Sequence, residues 1–582
     1  MRKLLVYLKD YKKESVLGPL FKLLEASFEL IVPLVMAAII DRGVAFADKP
    51  YILKMCLVLV LLAVIGLVCS ITAQYFAAKA AVGFSTGLRH ALFEHIEKLS
   101  FSEMDTVGTS TLITRMTSDV NQVQNGVNLV LRLFLRSPFI VFGAMIMAFT
   151  IDVKVALVFV VAIPLLSVVV FGIMLVSIPL YKKVQGALDK VLGITRENLT
   201  GARVIRAFNK EEEEIENFNG HNEMLTAAQV YVGKISALMN PVTYVIVNGA
   251  IVALVWIGAI RVDNGFITQG EVVALVNYMS QILVELVKLA NLIININKSI
   301  ACGNRIQAVL ELEPSIRDTG VPISEPSAKT AGGFAVEFSH VGLTYAGAGD
   351  ESLTDIHFAV KKGETVGIIG GTGSGKSSVV NLIPRFYEAT AGSVLVDGKD
   401  VREYSLKELR DKVGVVLQKA VLFKGTIREN LAWGNGSATE QEMAEALRIA
   451  QAKEFVEAKE GGLDFEIEQG GKNLSGGQRQ RLTIARALVK RPEILILDDS
   501  ASALDFATDA ALRKAIREME GETTVFIVSQ RAASIRHADK IVVLDDGAVV
   551  GLGTHEELLA GCEVYQEIYY SQFKKAAGGE QA

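Results

Sequence analysis

Long apolar runs in the first 300 residues constrain this chain more than any other feature. Three of them, within 53–77, 155–181 and 235–260, hold more than 18 residues in succession without a charge, the length that spans a hydrocarbon core. Three more, at 16–40, 129–151 and 272–296, are long enough but carry charged residues. The sequence therefore predicts six transmembrane helices, because the alternative of buried helices in a large soluble protein does not account for three uncharged runs.

The distribution of lysine and arginine predicts the orientation of these spans. Residues 1–15 hold five, 78–128 hold four and 181–234 hold eight, whereas the short loops 41–52, 152–154 and 261–271 share four. Positive charge favours the cytoplasmic side. We therefore expect a multi-pass protein of the cell membrane with both termini and the two long loops in the cytoplasm. The first 15 residues are too polar for a cleavable signal peptide and are typical of a basic amphipathic segment on the membrane surface.

The two long loops are themselves predicted to be helical. Each has about 50 residues, lacks proline and shows helical periodicity, as in "GLRHALFEHIEKL". If the spans continue as helices, ~25 residues in each direction reach roughly 37 Å from the membrane. The turns at their far ends are expected at 105–112 ("DTVGTSTL") and 197–205 ("ENLTGARVI").

Some charged residues fall inside the predicted spans, where an ion is costly and should face protein or water. One interpretation is that they line a polar substrate cavity; the other is structural pairing between helices, or snorkelling to the interface. Glu285 and Lys288 are three residues apart and can pair on one helix face. The candidates are Glu25, Glu29, Arg132, Arg136, Glu285 and Lys288.

Composition divides the chain into regions. With 582 residues a single core is unexpected. We predict a transmembrane domain at 1–310, a linker at 311–334, a soluble α/β domain at 335–575 and a tail at 576–582. The net charge of −5 and the lack of a basic patch argue against a nucleic-acid partner. Four widely separated cysteines form neither a metal-type cluster nor a disulfide framework, and are expected to be buried thiols.

A phosphate-binding loop opens the soluble domain. Strand-like "TVGII" leads into "GGTGSGKSS" and then into helix-like "VVNLI". Glycines let backbone N–H groups close around phosphates, the lysine reaches the β- and γ-phosphates, and the following hydroxyl binds Mg²⁺. The predicted ATP-binding residues here are Gly370, Gly371, Thr372, Gly373, Ser374, Gly375, Lys376, Ser377 and Ser378.

Two further positions belong with this loop. Asp498 ends the apolar run "ILIL", where an acid holds Mg²⁺ through water. Tyr345, about 25 residues before the loop, is a candidate to stack on adenine; a surface tyrosine on a strand is the competing interpretation. ATP and Mg²⁺ are therefore the expected cofactors.

The segment "NLSGGQRQRLTIARAL", together with the phosphate loop, "VVLQKAVLFKGTIRENL" and "SALD", closely resembles ATP-binding cassette (ABC) transporters. Six spans ahead of one cassette resemble the exporter-type half-transporters. The resemblance implies an α-helical membrane domain, its six helices extended far into the cytoplasm, fused to an α/β P-loop nucleotide-binding domain.

In that family two cassettes enclose two ATP molecules. The resemblance implies that Gln418 senses Mg²⁺, which gives Ser377, Gln418 and Asp498 as the metal set. It also implies that Asp505 ends the D-loop, and that four residues face the ATP held by the partner. These are Ser475, Gly476, Gly477 and Gln478.

Two catalytic positions depart from the family pattern. Asp499 stands where the family usually has a glutamate general base, and Gln530, in "FIVSQRAAS", stands where it has the switch histidine. An aspartate is one methylene shorter, and glutamine cannot carry a proton as imidazole does. In addition "EIEQGGKNLSGG" replaces the usual Gly-Glu-Arg-Gly run, although the signature itself is intact. The alternative is that Asp499, still a carboxylate, works well enough.

This pattern resembles the degenerate-site half of a heterodimeric bacterial multidrug exporter. We expect ATP-driven export of small amphipathic compounds, with membrane lipid and a second, different half-transporter as partners. The alternatives on the same fold are a translocator of lipid, peptide or metallophore, importers included. A nucleotide-regulated membrane sensor that does not transport is the alternative from another class.

Overall fold

The computed structural model describes residues 2–318, 333–519 and 522–573. The chain divides into two compact units, one formed by Met1–Glu97 and Ser110–Leu312 and the other by Lys98–Thr109 and Glu313–Ala582. Most of the predicted linker and the whole predicted tail lie outside the described residues.

The first unit is helical. Within the described residues six helical segments are long and apolar enough to cross a membrane: Lys3–Val44, Lys49–Lys98, Thr109–Ile151, Val153–Thr200, Glu211–Asp263 and Gln269–Leu310. Their α-helices are α1 (Lys12–Ala38), α2 (Lys49–Glu97), α4 (Thr109–Thr114), α5 (Val120–Leu129), α6 (Arg136–Ile151), α7 (Val153–Thr200), α8 (Ala202–Ala207), α9 (Glu211–Ala237), α10 (Met239–Asp263) and α11 (Gln269–Leu310). A 3₁₀ segment precedes them at Arg2–Tyr11, and π-helical turns interrupt them at Ile39–Val44, Arg115–Asp119 and Val130–Phe134.

The predicted helical continuation of the spans is confirmed. Helices α2 and α7 have 49 and 48 residues, or about 70 Å at 1.5 Å per residue, which is more than twice a hydrocarbon core. A turn at Gly108 (φ +79°) and another at Gly201 lie inside the two segments where turns were predicted.

The starts of α7 and α11, each of which follows a short loop, are capped by side chains. Asp152 caps α7 by accepting hydrogen bonds from the N–H groups of Lys154 and Val155 at 2.9 and 3.0 Å, and Arg261 donates to the same carboxylate. Thr268 and Glu271 form a capping box at the start of α11. These caps satisfy orphan backbone donors and fix where each helix begins.

Much apolar surface of the first unit remains exposed. In the most apolar 18-residue window of α2 only 6% of the residues are buried. Such a surface suits a lipid environment, since lipid rather than protein must cover it. The expectation of four buried thiols is therefore wrong for Cys56, which is exposed on this part of α2, while Cys69, Cys302 and Cys562 are buried.

The second unit is an α/β domain. It includes α3 (Phe101–Val107), and its strands in the described residues are β1 (Phe334–Leu343), β2 (Leu353–Lys361), β3 (Thr365–Gly370), β4 (Ala391–Val396), β5 (Lys399–Asp400), β6 (Val413–Val416), β7 (Gly425–Thr426), β8 (Glu466–Ile467), β9 (Ile494–Asp498), β10 (Thr524–Val528), β11 (Lys540–Asp545) and β12 (Ala548–Gly553). Its further helices are α12 (Lys376–Leu382), α13 (Leu406–Lys412), α14 (Ile427–Ala432), α15 (Glu440–Ile449), α16 (Lys453–Glu457), α17 (Gly476–Val489), α18 (Phe506–Arg517), α19 (Ala532–Ile535), α20 (His555–Gly561) and α21 (Glu563–Gln572).

The sheet topology determines where a site can form. The main sheet has the order β12-β11-β3-β10-β9-β6, and all its pairs except β11–β12 are parallel. In this register Val528 lies beside Asp498, and β3, the other neighbour of β10, ends at Gly370. The carboxyl ends of β3, β9 and β10 therefore meet at one edge, the usual place for a ligand in such a sheet.

Candidate nucleotide-binding site

The glycine-rich loop follows buried strand β3 and leads directly into α12. Gly373 and Gly375 have φ values of +87° and +89°, which a residue with a Cβ adopts only under strain. At Gly375 an added Cβ would also lie 2.5 Å from the side chain of Leu353. Glycine at these two positions therefore lets the loop wrap its backbone N–H groups around an anion without strain or a steric clash.

Lys376 is buried against this loop. Its Nζ donates hydrogen bonds to the carbonyl oxygens of Gly370 and Gly371 at 3.0 and 2.5 Å. Burial lowers the pKa of Lys376, and the Asp499 and Asp498 carboxylates oppose that effect. Its remaining hydrogen bond goes to the hydroxyl of Ser374 at 3.4 Å. A buried ammonium held by uncharged oxygens is suited to a phosphate, which supplies full negative charge.

Ser377 and Asp498 form the other wall of the site. The Ser377 hydroxyl donates to Oδ1 of Asp498 at 2.9 Å, and Asp498 is buried at the end of β9. Burial raises the pKa of Asp498, and the hydrogen bond from Ser377 opposes the rise. A hydroxyl beside a buried carboxylate is the hard-oxygen pair that Mg²⁺ prefers, with water completing its shell. These residues therefore fit the ion.

Asp499 stands in an unusual backbone conformation. Its φ is +42°, and its N–H donates to the carbonyl of Val528 at 3.0 Å. A non-glycine residue in the left-handed region is uncommon and is often found at functional sites. Burial raises the pKa of Asp499, while the charges of Arg531 and Lys376 and a hydrogen bond from Gln418 oppose the rise.

These residues surround one cavity of about 310 Å³. Its lining includes eleven predicted positions: Tyr345, Thr372, Gly373, Gly375, Lys376, Ser377, Ser378, Gln418, Asp498, Asp499 and Gln530. The predicted loop residues Gly370, Gly371 and Ser374 do not line it. A larger cavity of about 770 Å³ elsewhere in this unit holds none of the predicted residues.

Sequence reasoning missed three lining residues, Ser352, Val528 and Ser529. Ser529 immediately precedes Gln530 after β10, so the parallel-strand pattern contained the signal for it. Ser352 comes just before β2 in the other sheet, and no motif marks it.

Tyr345 lines the same cavity and is held there by two contacts. Its hydroxyl lies 2.8 Å from Oγ of Ser378, and its ring makes an edge contact with Tyr387, with centroids 5.0 Å apart at 87°. Burial raises the pKa of Tyr345. An aromatic ring held at both ends presents a preorganised face to a flat ligand.

The signature segment lies outside this cavity. Ser475 is the N-cap of α17, its side chain accepts from the N–H of Gln478, and Gln478 reaches back to the N–H of Ser475 at 3.0 Å. Ser475 and Gly476 are exposed, and Gly477 and Gln478 are partly exposed. A helix start of this kind binds anions, and here it is open to a molecule outside the chain.

In the first unit the charged residues within the spans are largely paired. Arg136 donates to Oε2 of Glu29 and to Oε1 of Glu285, each at 2.6 Å, and Lys288 donates to Glu285 at 2.9 Å. Glu25 lies in a separate pair with the buried Lys22 at 2.6 Å. Arg132 is partly buried, and its Nε has no hydrogen-bond partner among the described residues.

Each of the two units matches a known protein family. The family described as "ABC transporter transmembrane region" matches residues 15–286, and the family described as "ABC transporter" matches residues 353–502. A nucleotide-binding α/β unit joined to six apolar helices defines the class, an ATP-driven membrane protein.

Similar proteins match along most or nearly all of the chain. An uncharacterized ABC transporter ATP-binding protein of Mycobacterium tuberculosis is 38% identical over 98% of both chains. The putative multidrug export ATP-binding/permease protein YgaD of Bacillus subtilis is 32% identical over 98% of this chain and 99% of that protein. The ATP-dependent lipid A-core flippase of Desulfotalea psychrophila is 33% identical over 83% and 84%.

The fold matches a solved one. The structure of a bacterial Atm1-family ABC exporter with ATP bound aligns with a TM-score of 0.78 at 23% identity, covering 97% of this chain and 99% of that one. The chain belongs to the ABC transporter family. It is an ATPase-coupled membrane transporter with the exporter-type fold.

Proposed function

We propose that this chain is one half of a heterodimeric ABC exporter in the cell membrane. It binds Mg²⁺–ATP in the cavity around Lys376 but hydrolyses that ATP slowly, and it supplies its signature helix to the hydrolytic site of a different partner chain. The observation that carries the proposal is the presence of Asp499 and Gln530 on the wall of an otherwise well-formed ATP cavity.

The side chain of Asp499 is too short to act efficiently as the general base, a role for which this family usually has glutamate at this position. It is one methylene shorter than glutamate, and a misplacement of about 1 Å costs on the order of 10²-fold in rate. Loss of a general base costs roughly 10²–10⁴-fold. The hydrogen bond from Gln418 further occupies the carboxylate that would orient water.

Gln530, which lines the same cavity, supports the same conclusion. Its amide can donate a hydrogen bond to a γ-phosphate, so ATP binding does not suffer. It cannot accept and return a proton near neutral pH, as a histidine does. ATP bound here would therefore act mainly as a stable element that holds two cassettes together.

The exposed start of α17 supports the second half of the proposal. Ser475 caps a 14-residue helix whose first N–H groups and dipole favour phosphate charge. Since Ser475 lies outside the chain's own cavity, its partner would be an ATP held by another cassette. The intact signature would then serve a site at which the partner chain contributes the general base.

For substrate we propose small amphipathic compounds, with lipid as the second candidate. The named relatives support both, because one is called a putative multidrug export protein and another a lipid A-core flippase. The excess of lysine and arginine in 1–15, 78–128 and 181–234 supports a cytoplasmic location for both termini.

The test is to purify the chain alone and together with the half-transporter that assembles with it. We expect the chain alone to bind Mg²⁺–ATP yet hydrolyse it at least 10-fold more slowly than the assembled pair. Lys376→Ala serves as the binding-deficient control, while Lys407→Ala, which removes an exposed lysine paired with Asp411, should leave binding intact. A homodimer of this chain that turns over ATP as fast as the pair would disprove the proposal.

A further inference from the structure

The group formed by Glu29, Arg136, Glu285 and Lys288, here called the charge cluster, joins α1, α6 and α11 of the first unit. Oε2 of Glu285 also accepts a hydrogen bond from the hydroxyl of Ser137 at 2.8 Å. Two carboxylates and two cations make the cluster neutral overall. Its centre is closed, since the side chains of Arg136 and Glu285 are only 9% and 4% exposed.

The two ends of the charge cluster are open. The side chain of Glu29 is 42% exposed and that of Lys288 is 49% exposed. The cluster thus presents a carboxylate on α1 and an ammonium on α11, each anchored to the buried pair by one charged contact. By contrast, Glu25 and Lys22 are 18% and 9% exposed, so that neighbouring pair is closed.

The charge cluster lies within the helical segments that are long and apolar enough to cross a membrane. Arg136 is the first residue of α6, 15 residues before its end, and Glu285 is 16 residues after the start of α11. These separations correspond to about 22–24 Å along each helix, inside a hydrocarbon core of roughly 30 Å. Half-exposed charges at that depth do not face acyl chains, because ions in spans face protein or a water-filled cavity.

Exposed apolar side chains lie near the cluster on two of its helices. Val284, four residues before Lys288 on α11, is 50% exposed, and Phe139, three residues after Arg136 on α6, is 38% exposed. A ligand that reached both charges would therefore have apolar side chains beside it. This combination favours a molecule with a polar head and a hydrophobic tail.

We infer that the charge cluster binds the head group of a zwitterionic amphipath, whose ammonium contacts Glu29 and whose phosphate or carboxylate contacts Lys288. The inference rests on the proposed function and names the substrate class within it. A ligand with only one charge sign would be attracted to one end of the cluster and repelled by the other. A zwitterion matches both ends and keeps the site neutral.

The experiment uses the assembled transporter in nanodiscs of phosphatidylglycerol, a lipid without an ammonium group. Binding of octylphosphocholine, octyltrimethylammonium and octyl phosphate is measured on the nucleotide-free protein, so the result does not depend on which site hydrolyses ATP. We expect octylphosphocholine to bind at least 10-fold more tightly than either singly charged probe. Nanodiscs of phosphatidylethanolamine test whether a membrane lipid is itself the ligand, in which case they compete with the added probe.

The variants are Glu29→Gln and Lys288→Gln, which leave the buried pair of Arg136 with Glu285 in place. Each should raise the dissociation constant for octylphosphocholine roughly tenfold. Lys288→Gln removes a charge-assisted hydrogen bond to the phosphate, and Glu29→Gln removes the ionic contact with the trimethylammonium group, which has no N–H to donate. Lys79→Gln is the matched control, since Lys79 is also 49% exposed and also forms a 2.9 Å ion pair, with Glu14. It should change binding less than twofold.

Charge reversal gives a second readout that loss of structure cannot imitate. Lys288→Glu should reverse the preference, so that octyltrimethylammonium binds more tightly than octylphosphocholine. Equal binding of the three probes to the unmodified transporter would overturn the inference. The inference would also be overturned if Glu29→Gln and Lys288→Gln bound octylphosphocholine normally and lowered only the melting temperature. That result would show that the charge cluster is a structural ion network.

Discussion

The hydroxyl of Tyr387 donates a 2.5 Å hydrogen bond to Oδ2 of Asp105, on helix α3. The same tyrosine makes the edge contact with Tyr345 at the ATP cavity, and Phe101 of α3 packs on Phe386 with centroids 4.8 Å apart. Helix α3 lies in the chain between α2 and α4, in the connection between two spans. Tyr387 therefore joins the aromatic wall of the nucleotide site to the segment that leads to the membrane helices.

We expect Tyr387→Phe to weaken communication between ATP and substrate rather than ATP binding. A hydrogen bond to a charged group contributes about 1.5–3 kcal/mol, and the phenyl ring preserves the contact with Tyr345. Stimulation of ATPase activity by substrate should fall several-fold, while ATP affinity changes less than twofold. Tyr404→Phe is the control, because Tyr404 is a second tyrosine of this unit whose hydroxyl makes a hydrogen bond, in this case to the carbonyl of Val396. Equal losses in both variants would indicate a general effect on the domain.

The buried carboxyl of Asp498 should make the nucleotide-free protein respond to pH in a defined direction. Burial raises its pKa above the ordinary 3.8, so the folded protein binds this proton more tightly than the unfolded chain does. Its contribution to stability is then greatest below the ordinary pKa and declines as pH rises through the raised value. We therefore expect Asp498→Asn to raise the apparent melting temperature at pH 7 without Mg²⁺ or ATP, by a margin that shrinks on acidification.

Asp505 provides the control of opposite sign. Its pKa is lowered because its carboxylate accepts the Thr508 N–H at the start of α18, so its contribution is present above the ordinary pKa and lost as pH falls. Asp505→Asn should lower the melting temperature slightly at pH 7 and have no effect in acid. If Asp498→Asn behaved in the same way, burial would not dominate the titration of Asp498.

Restoring the catalytic residues should require two substitutions. Asp499→Glu returns the longer carboxylate but leaves Gln530 without proton-transfer capacity, so we expect it to recover only a small part of the hydrolysis at this site. Asp499→Glu combined with Gln530→His should exceed the product of the two single effects, since the two positions line one cavity and act on one phosphate. Single-site turnover is measured with the partner's own general base removed. Full recovery with Asp499→Glu alone would show that Gln530 is not limiting.

The sequence predicted what depends on local pattern. The six spans, the glycine loop between β3 and α12, and Asp498 at the end of β9 all follow from periodicity, length and strand order. The contacts of Arg136 with Glu29 and Glu285 and of Tyr387 with Asp105 join residues on different elements. No periodicity specifies such partners, because they depend on how helices pack. The π-helical turn at Val130–Phe134, just before Arg136, is equally invisible in composition.

Two variants of this chain, compared in the assembled pair, should differ strongly in activity. If Ser475 completes the partner's hydrolytic site, a large charged residue there should block it. Loss of one transition-state donor costs about 10²–10³-fold, so Ser475→Arg should abolish most ATPase activity and transport. Asp499→Asn should leave a substantial fraction, because its own site already turns over slowly. Both are compared at saturating ATP with nucleotide occupancy checked, and Ser437→Arg, at an exposed serine of the same unit, controls for the added charge. An active Ser475→Arg beside an inactive Asp499→Asn would place the hydrolytic site on this chain and reverse the assignment of the two sites.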